Sequence, residues 1–196
     1  KDCVVGASNS VWLDIDKLDM GLWETLAAYL GRLEGEAWST WSYAPGGKIS
    51  LRLRVTVDRA HASGEEVRAA REGLARELTR VVRPGAVLRS GLIADPLCFQ
   101  PAAVFYCPAV HPDRAGTGKV WLFDGPERPR VDGLVSLAEV CARRSAMTRL
   151  VREGRIDPTA PVTEADRAAA RAWFEAQCAR LAVADDGRKR MLFPFG

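Results

Sequence analysis

Histidine is scarce in this chain. Its 196 residues include only His61 and His111, and its five cysteines, Cys3, Cys98, Cys107, Cys141 and Cys178, form no C-x-x-C pair. Structural zinc sites and disulfide frameworks need such residues at close, regular spacing, so the sequence argues against both. A Ser/His or Cys/His hydrolase has no support either, because neither histidine stands beside a plausible nucleophile. An odd cysteine count with several in apolar contexts fits a reducing, cytoplasmic setting, where cysteines serve as small core residues. Long apolar runs are also missing. None approaches the roughly 20 residues of a membrane helix, and the start lacks a basic segment followed by an apolar one, so no membrane partnership is expected. Charge of one sign is in short supply: 28 Lys and Arg against 25 Asp and Glu leave a net +3. That is too little to announce a nucleic-acid binder. Arg143, Arg144, Arg149, Arg152 and Arg155 cluster late, and Arg188-Lys189-Arg190 lies near the end; a solvated helix face accounts for either cluster. The chain opens on Lys1 and reaches a strand almost at once, which reads as a piece of a longer protein.

What is present begins with Val11-Trp12-Leu13-Asp14-Ile15-Asp16, two acids inside an apolar, β-prone run. Residues two apart on a strand share a side. Asp14 and Asp16 would therefore stand together with Trp12 while Val11, Leu13 and Ile15 enter the core. Like charges so close repel unless a cation lies between them. Mg²⁺ or Mn²⁺ suits hard carboxylate oxygens, and such sites serve phosphoryl and nucleotidyl transfer. The plainer alternative is a strand ending at a polar rim with both acids solvated.

Hydrophobic residues make up 47% of the chain, enough for one sizeable core or a domain with an appendage. After the first strand, at about 10–16, the spacing of Leu22, Leu26, Tyr29, Leu30 and Leu33 predicts a helix near 20–33. Two β-like runs at 37–43 and 48–57 flank Ala44-Pro45-Gly46-Gly47 and predict an antiparallel hairpin. In the second run Ile49, Leu51, Leu53, Val55 and Val57 alternate with Lys48, Ser50, Arg52, Arg54 and Thr56, one face apolar and the other basic and polar. Ser63-Gly64-Glu65-Glu66 matches a capping box for an amphipathic helix reaching about Arg83, with Val67, Ala70, Leu74, Leu78 and Val81 as its stripe. Strands are expected at 103–107 and 119–123, and a helix around 132–152. Residues 153–162, with Pro158 and Pro161, read as a linker, and Thr163 as the cap of a last helix to about 183. The predicted class is α+β, a mixed or antiparallel sheet flanked by helices, with a main domain at 1–152 and a helical C-terminal segment at 163–196. His61 and His111 flank loops and are expected at the solvent.

Familiar motifs fail on inspection. Asp14-x-Asp16-x-x-Asp19 misses the calcium-loop register, and Pro45-Gly46-Gly47-Lys48 lacks the upstream glycine and the Ser or Thr of a phosphate loop. What survives is an order: Asp14 and Asp16 on a first strand, Ser39-Thr40-Trp41 on the next, Arg52 and Arg54 on its partner, then Asp95 ahead of Pro101-Ala102-Ala103-Val104-Phe105-Tyr106-Cys107-Pro108. Over about residues 10–125 this order resembles the catalytic domain of the archaeo-eukaryotic primase superfamily, particularly the primase-polymerases of phages, plasmids and other mobile elements.

The resemblance implies a primase-polymerase-like fold and a nucleotidyl transferase that copies single-stranded DNA from nucleoside triphosphates by a two-metal mechanism. It assigns Asp14, Asp16 and Asp95 to Mg²⁺ or Mn²⁺, and Ser39 to the small residue of the second motif. Arg52 and Arg54, with Lys48, would meet phosphate. A helicase or other replication domain would be the partner in a longer protein. Two positions depart from the pattern: Trp41, or Tyr43, stands where the family has a phosphate-contacting histidine, and Ala103 where it has an arginine. A catalytically decayed primase-like domain that binds single-stranded DNA or a replication partner is the alternative these departures motivate. An unrelated metal-dependent nuclease or phosphotransferase needs only the D-x-D. Asp95 before Pro96 also suits a simple turn start, and Arg52 and Arg54 also suit a solvated hairpin face.

Overall fold

The computed structural model describes residues 8–40, 47–84, 91–103, 105, 116–155, 157 and 159–182. The elements run β1 (Ser10–Leu18), α1 (Met20–Leu30), β2 (Glu34–Ser39), β3 (Ile49–Thr56), α2 (Gly64–Val82), a 3-10 turn (Pro96–Phe99), β4 (Val120–Asp124), α3 (Val131–Arg152) and α4 (Glu164–Ala182). The class is α+β, and the sheet is wholly antiparallel with the order β1-β3-β2-β4. Two compact units comprise Lys1–Ala138 and Glu139–Gly196. No helix among the described residues is long and apolar enough to cross a membrane.

In the first unit β1, α1 and β2 make a crossover between strands that do not touch, and β3 fills the gap, antiparallel to both. This is the split βαβ arrangement. On the far side of β1 the segment after α2 adds an isolated antiparallel bridge, Ala94 to Ile15. The strands alternate as their sequences require. Val11, Leu13 and Ile15 of β1 and Leu51, Leu53 and Val55 of β3 are buried in one core with Leu26 and Leu30 of α1 and Leu74 and Leu78 of α2. Burying each such side chain contributes about 1.5–3 kcal/mol, so the sheet has one committed face. Trp121 and Phe123 of β4 pack against the same core, while Val120 and Leu122, one step out of phase, are exposed.

Several local expectations meet a different outcome. The predicted hairpin pairs as expected, but β2 begins at Glu34, earlier than the run at 37–43; Trp41, Tyr43 and most of the turn lie outside the described residues. For the strand expected at 103–107, Ala103 and Phe105 are in no strand and the other three residues lie outside the described set. His61 is buried, with Nε2 3.1 Å from the Ser10 carbonyl oxygen, because the loop leading into α2 folds back onto the start of β1. His111 lies outside the described residues, as do Arg188, Lys189 and Arg190. Cys98 and Cys141 are buried, and neither is in a disulfide. Ser63 caps α2 by accepting from the Glu66 amide at 3.1 Å. The reciprocal bond shifts by one residue, for Glu66 accepts from the Ala62 amide and pairs with Arg59.

In the second unit, Arg143 lies over the Trp173 ring with its guanidinium carbon 5.0 Å from the centroid. Thr163 caps α4 through its hydroxyl, which accepts from the Asp166 amide at 3.2 Å.

Helix α2 passes so near the start of α3 that a Cβ at Gly73 would collide with the Leu134 carbonyl. A Gly→Ala change inside a helix ordinarily stabilises, by about 0.5–1 kcal/mol. Gly73→Ala should reverse that sign and cost about 1–3 kcal/mol, the usual penalty of overpacking, read as a lower midpoint in chemical denaturation.

Candidate functional site

The core-facing residues of the sheet fix what its other face displays. Directly opposed residues on paired strands share a side, so the register lays out two rows. The first runs Asp14, Arg52, Trp38, Val120; the second runs Trp12, Arg54, Glu36, Leu122. Two tryptophans, two arginines and two acids thus stand on one surface, made from three strands that are far apart in sequence.

Asp14 is the centre of this surface. Its carboxylate is half-buried and stands 3.5 Å from Arg52 Nε through Oδ2. Its other oxygen, Oδ1, is buried without a hydrogen-bond partner. Burial raises the Asp14 pKa above the ordinary carboxylate value, the Arg52 charge opposes the rise, and Asp16 and Asp95 add to it. Two acids and one guanidinium therefore act on the Asp14 carboxylate.

Each neighbour arrives by a different route. Asp95 is carried in by backbone pairing, for its amide donates to the Asp14 carbonyl at 2.8 Å beside the Ile15–Ala94 bridge. Asp95 is also a turn starter: Oδ1 accepts from the Leu97 amide at 2.9 Å and caps the 3-10 turn. Asp16 lies at an irregularity. Between Ile15, opposite Leu51, and Leu18, opposite Ile49, β1 has one extra residue. Lys17 takes up the excess with φ at 55°, a left-handed conformation uncommon outside glycine, and its amide donates to Ser50 Oγ at 3.1 Å. The bulge leaves Asp16 and Lys17 both exposed and returns Leu18 to the core. Bulges re-aim side chains in this way and are frequent beside active sites.

The remaining predicted residues divide. Arg52 and Arg54 lie on the acid-bearing face, yet each has an acid across the strand gap: Arg52 has Asp14, and Arg54 Nε is 2.9 Å from Glu36 Oε1. Lys48 is exposed and loosely paired with Asp19 at 3.6 Å. Such surface pairs hold little energy, so its ammonium is readily available. Ser39 is not brought to the acids. It sits opposite Leu51, on the core side of the sheet, and its buried Oγ accepts from the Lys119 amide at 2.9 Å.

Sequence reasoning missed the aromatic wall. Trp12 meets Trp38 edge-on with centroids 5.4 Å apart, and Phe105 lies 5.6 Å from Trp12. The parity of β2 was the available signal: Trp38 shares a side with Glu36, whereas attention to Ser39 and Trp41 follows the opposite parity. It also missed Arg71, which is buried at a position four after Val67 and three before Leu74, within the apolar stripe of α2. Cys98, buried with its thiol pushed up to about 11 by burial, lies near Asp14 and stays protonated at neutral pH.

The residues fit a divalent cation in part. Among the described residues, no group of three or more His, Cys, Asp or Glu side chains is close enough to hold a metal ion. Magnesium, however, is commonly held by one or two carboxylates together with waters and substrate phosphates. A partnerless buried oxygen on Asp14, with exposed Asp16 and turn-bound Asp95 acting on it, suits that mode.

A raised pKa in the fold means that the protonated acid is favoured there. Its stabilisation is fully present below the unfolded value and lost as pH rises through the folded one. Asp14→Asn should therefore be more stable than wild type at pH 7 without added metal, the advantage shrinking as pH falls toward 3.8 and below, in thermal melts across that range. No likeness lends this geometry a role, for the chain matches no family model, no curated protein and no solved structure.

Proposed function

We propose that this chain is a primase-polymerase-like nucleotidyl transferase, acting on a single-stranded DNA template with nucleoside triphosphates and Mg²⁺ or Mn²⁺. One observation carries the reading: Asp14, half-buried with a partnerless oxygen, faces Arg52 and is acted on by both Asp16 and Asp95. A lone binding surface for phosphates gains nothing from clustered acids, which repel the ligand. With a cation among them the sign of the local field reverses.

In this reading Asp14 would hold the metal with Asp16 or Asp95 beside it, waters and substrate phosphates completing the shell. When bound, a divalent ion activates the attacking 3′-hydroxyl and neutralises the triphosphate and its pyrophosphate leaving group. Arg52 and Arg54 then exchange their cross-strand acids for phosphate oxygens, and Lys48 adds a mobile ammonium. Charge-assisted pairing of guanidinium with phosphate supplies electrostatic stabilisation without an imidazole, which answers the loss of the family histidine at Trp41 and of its arginine at Ala103. Trp12, half-buried and backed by the buried Trp38, offers an aromatic edge beside the arginines, the combination that single-strand binding uses. A helicase or another replication domain is the partner this activity calls for in a longer protein.

A second reading is favoured by the Asp14–Arg52 pair and the position of Ser39. With the guanidinium already matched to an acid, and the second-motif serine on the core side, the domain is a decayed relative that binds single-stranded DNA.

Labelled nucleotides on a single-stranded template, with each metal tested separately, distinguish the two. The enzyme incorporates nucleotide, and Asp14→Ala with Asp16→Ala brings incorporation to background while the fold is retained. Arg52→Ala or Arg54→Ala should weaken metal-dependent triphosphate binding roughly tenfold to a hundredfold, the worth of one charge-assisted hydrogen bond. A decayed domain incorporates nothing, binds no triphosphate in titration calorimetry with metal, and holds single-stranded DNA with an affinity that falls steeply with salt.

A further inference from the structure

Arg71 is the charged residue most at odds with its surroundings. It projects from the buried side of α2, is 8% exposed, and pairs with no carboxylate among the described residues; its contacts are backbone carbonyls and a ring. Nη1 donates to the Cys98 carbonyl at 3.0 Å and to the Gln100 carbonyl at 2.6 Å. The guanidinium carbon lies 5.1 Å from the Phe105 ring centroid, and Nε is buried without a hydrogen-bond partner. Burying a guanidinium this way is costly. An apolar residue of similar length would fill the space without that cost, so packing alone is a poor account of an arginine here.

What Arg71 grips is the end of the turn that Asp95 begins. Cys98 and Gln100 are its third and fifth following residues, and the amides of Cys98 and Gln100 return to the carbonyls of Asp95 and Leu97. The turn is fastened at its front by the Asp95 amide on the Asp14 carbonyl, and just upstream by the Ile93 amide on Thr79 Oγ1. Arg71 is the third fastening. It stands on the same helix as Thr79, two turns away, so α2 holds the turn from both ends. Phe105, over which Arg71 lies, reaches the Trp12 ring next to Asp14.

We propose that Arg71 is a positioning residue for the candidate metal site: by tying the Cys98 and Gln100 carbonyls to α2, it sets where the Asp95 carboxylate stands relative to Asp14. The metal role rests on the function proposed above; the positioning itself does not. Arg71 touches neither metal nor substrate in this role. Its charge serves because a cationic donor holds carbonyl oxygens more strongly than a neutral one, and the Gln100 carbonyl, which also accepts from the Ala103 amide at 2.9 Å, is thereby tied to α2 as well as to its own loop.

The test uses the full chain with Arg71→Met, which keeps the bulk and loses the donors, and Arg71→Lys, which keeps charge and donors. Amide hydrogen exchange at Leu97, whose N–H is held by Asp95, reads the position of the carboxylate without any metal. Mn²⁺ titration, followed by tryptophan fluorescence, reads the site. In Arg71→Met, exchange at Leu97 should quicken at least tenfold relative to amides in the middle of α2, and Mn²⁺ affinity should fall about tenfold. Arg71→Lys should recover most of both. Unchanged exchange at Leu97 in a folded Arg71→Met overturns the proposal, as does an Arg71→Lys variant no better than Met. Should Arg71→Met fail to fold, the Lys variant alone decides: exchange and Mn²⁺ affinity near wild type support positioning, and a tenfold loss of either overturns it. If the wild type binds no Mn²⁺, the metal reading falls, and exchange at Leu97 still decides whether Arg71 positions Asp95.

Discussion

The antiparallel register of β1 against β3 is the constraint on which the rest of the candidate site depends. Because Leu13 opposes Leu53 and Ile15 opposes Leu51 in a committed core, Asp14 has no choice but to oppose Arg52 on the other face. A slip of one residue would bury the acid and expose the leucines. The hydrophobic energy of the core thus holds in place an arrangement of charge that is itself unfavourable, as the raised pKa of Asp14 records. β2 and β4 extend the same logic, which brings Glu36 and the buried Trp38 to that same face of the sheet and leaves Val120 and Leu122 exposed.

Charge on this face is arranged in opposed neighbours more than in patches. Arg52 answers Asp14 and Arg54 answers Glu36, so each guanidinium meets an acid across the strand gap. Cross-strand pairs of this kind contribute only a few tenths to about 1 kcal/mol each. A phosphate, with charge on several oxygens and bidentate geometry for arginine, competes well against such a pair. The same arrangement is what a decayed binding surface would carry, which is why metal dependence and not mere affinity separates the two readings.

The acids are supported unequally. Asp14 sits on a central run of strand, and Asp95 depends on a turn fastened to β1 and α2 at separate points. Asp16 stands on a bulge whose strained residue, Lys17, lets the strand shed one residue to solvent before Leu18 rejoins the core. One carboxylate is thereby half-buried on a strand, one is held by a turn, and one is exposed. For the metal site proposed above, that difference would matter, since a cation fixed by every ligand at once leaves no room for substrate oxygen.

Period-two alternation in 10–16 and 48–57 was enough to assign the faces of β1 and β3, and so to put Asp14, Arg52 and Arg54 each on the side away from the core, because burial of one parity leaves the other no alternative. The helices near 20–33 and 63–83 were legible for the same reason at period 3.6. Local sequence could not reveal that the Ser39 hydroxyl is buried against the Lys119 amide, from a segment 80 residues further on. Nor could it reveal the bulge at Lys17, the burial of His61, or the grip of Arg71 on the Asp95 turn. These depend on contacts between segments far apart in the chain, where a polar group finds its partner only after the core has fixed the distance between them. The sequence by itself determined which residues could face the core. Only the tertiary structure decided which polar residues then met, since hydrogen bonds and charges act over a few ångströms and the register of packed strands and helices sets those ångströms.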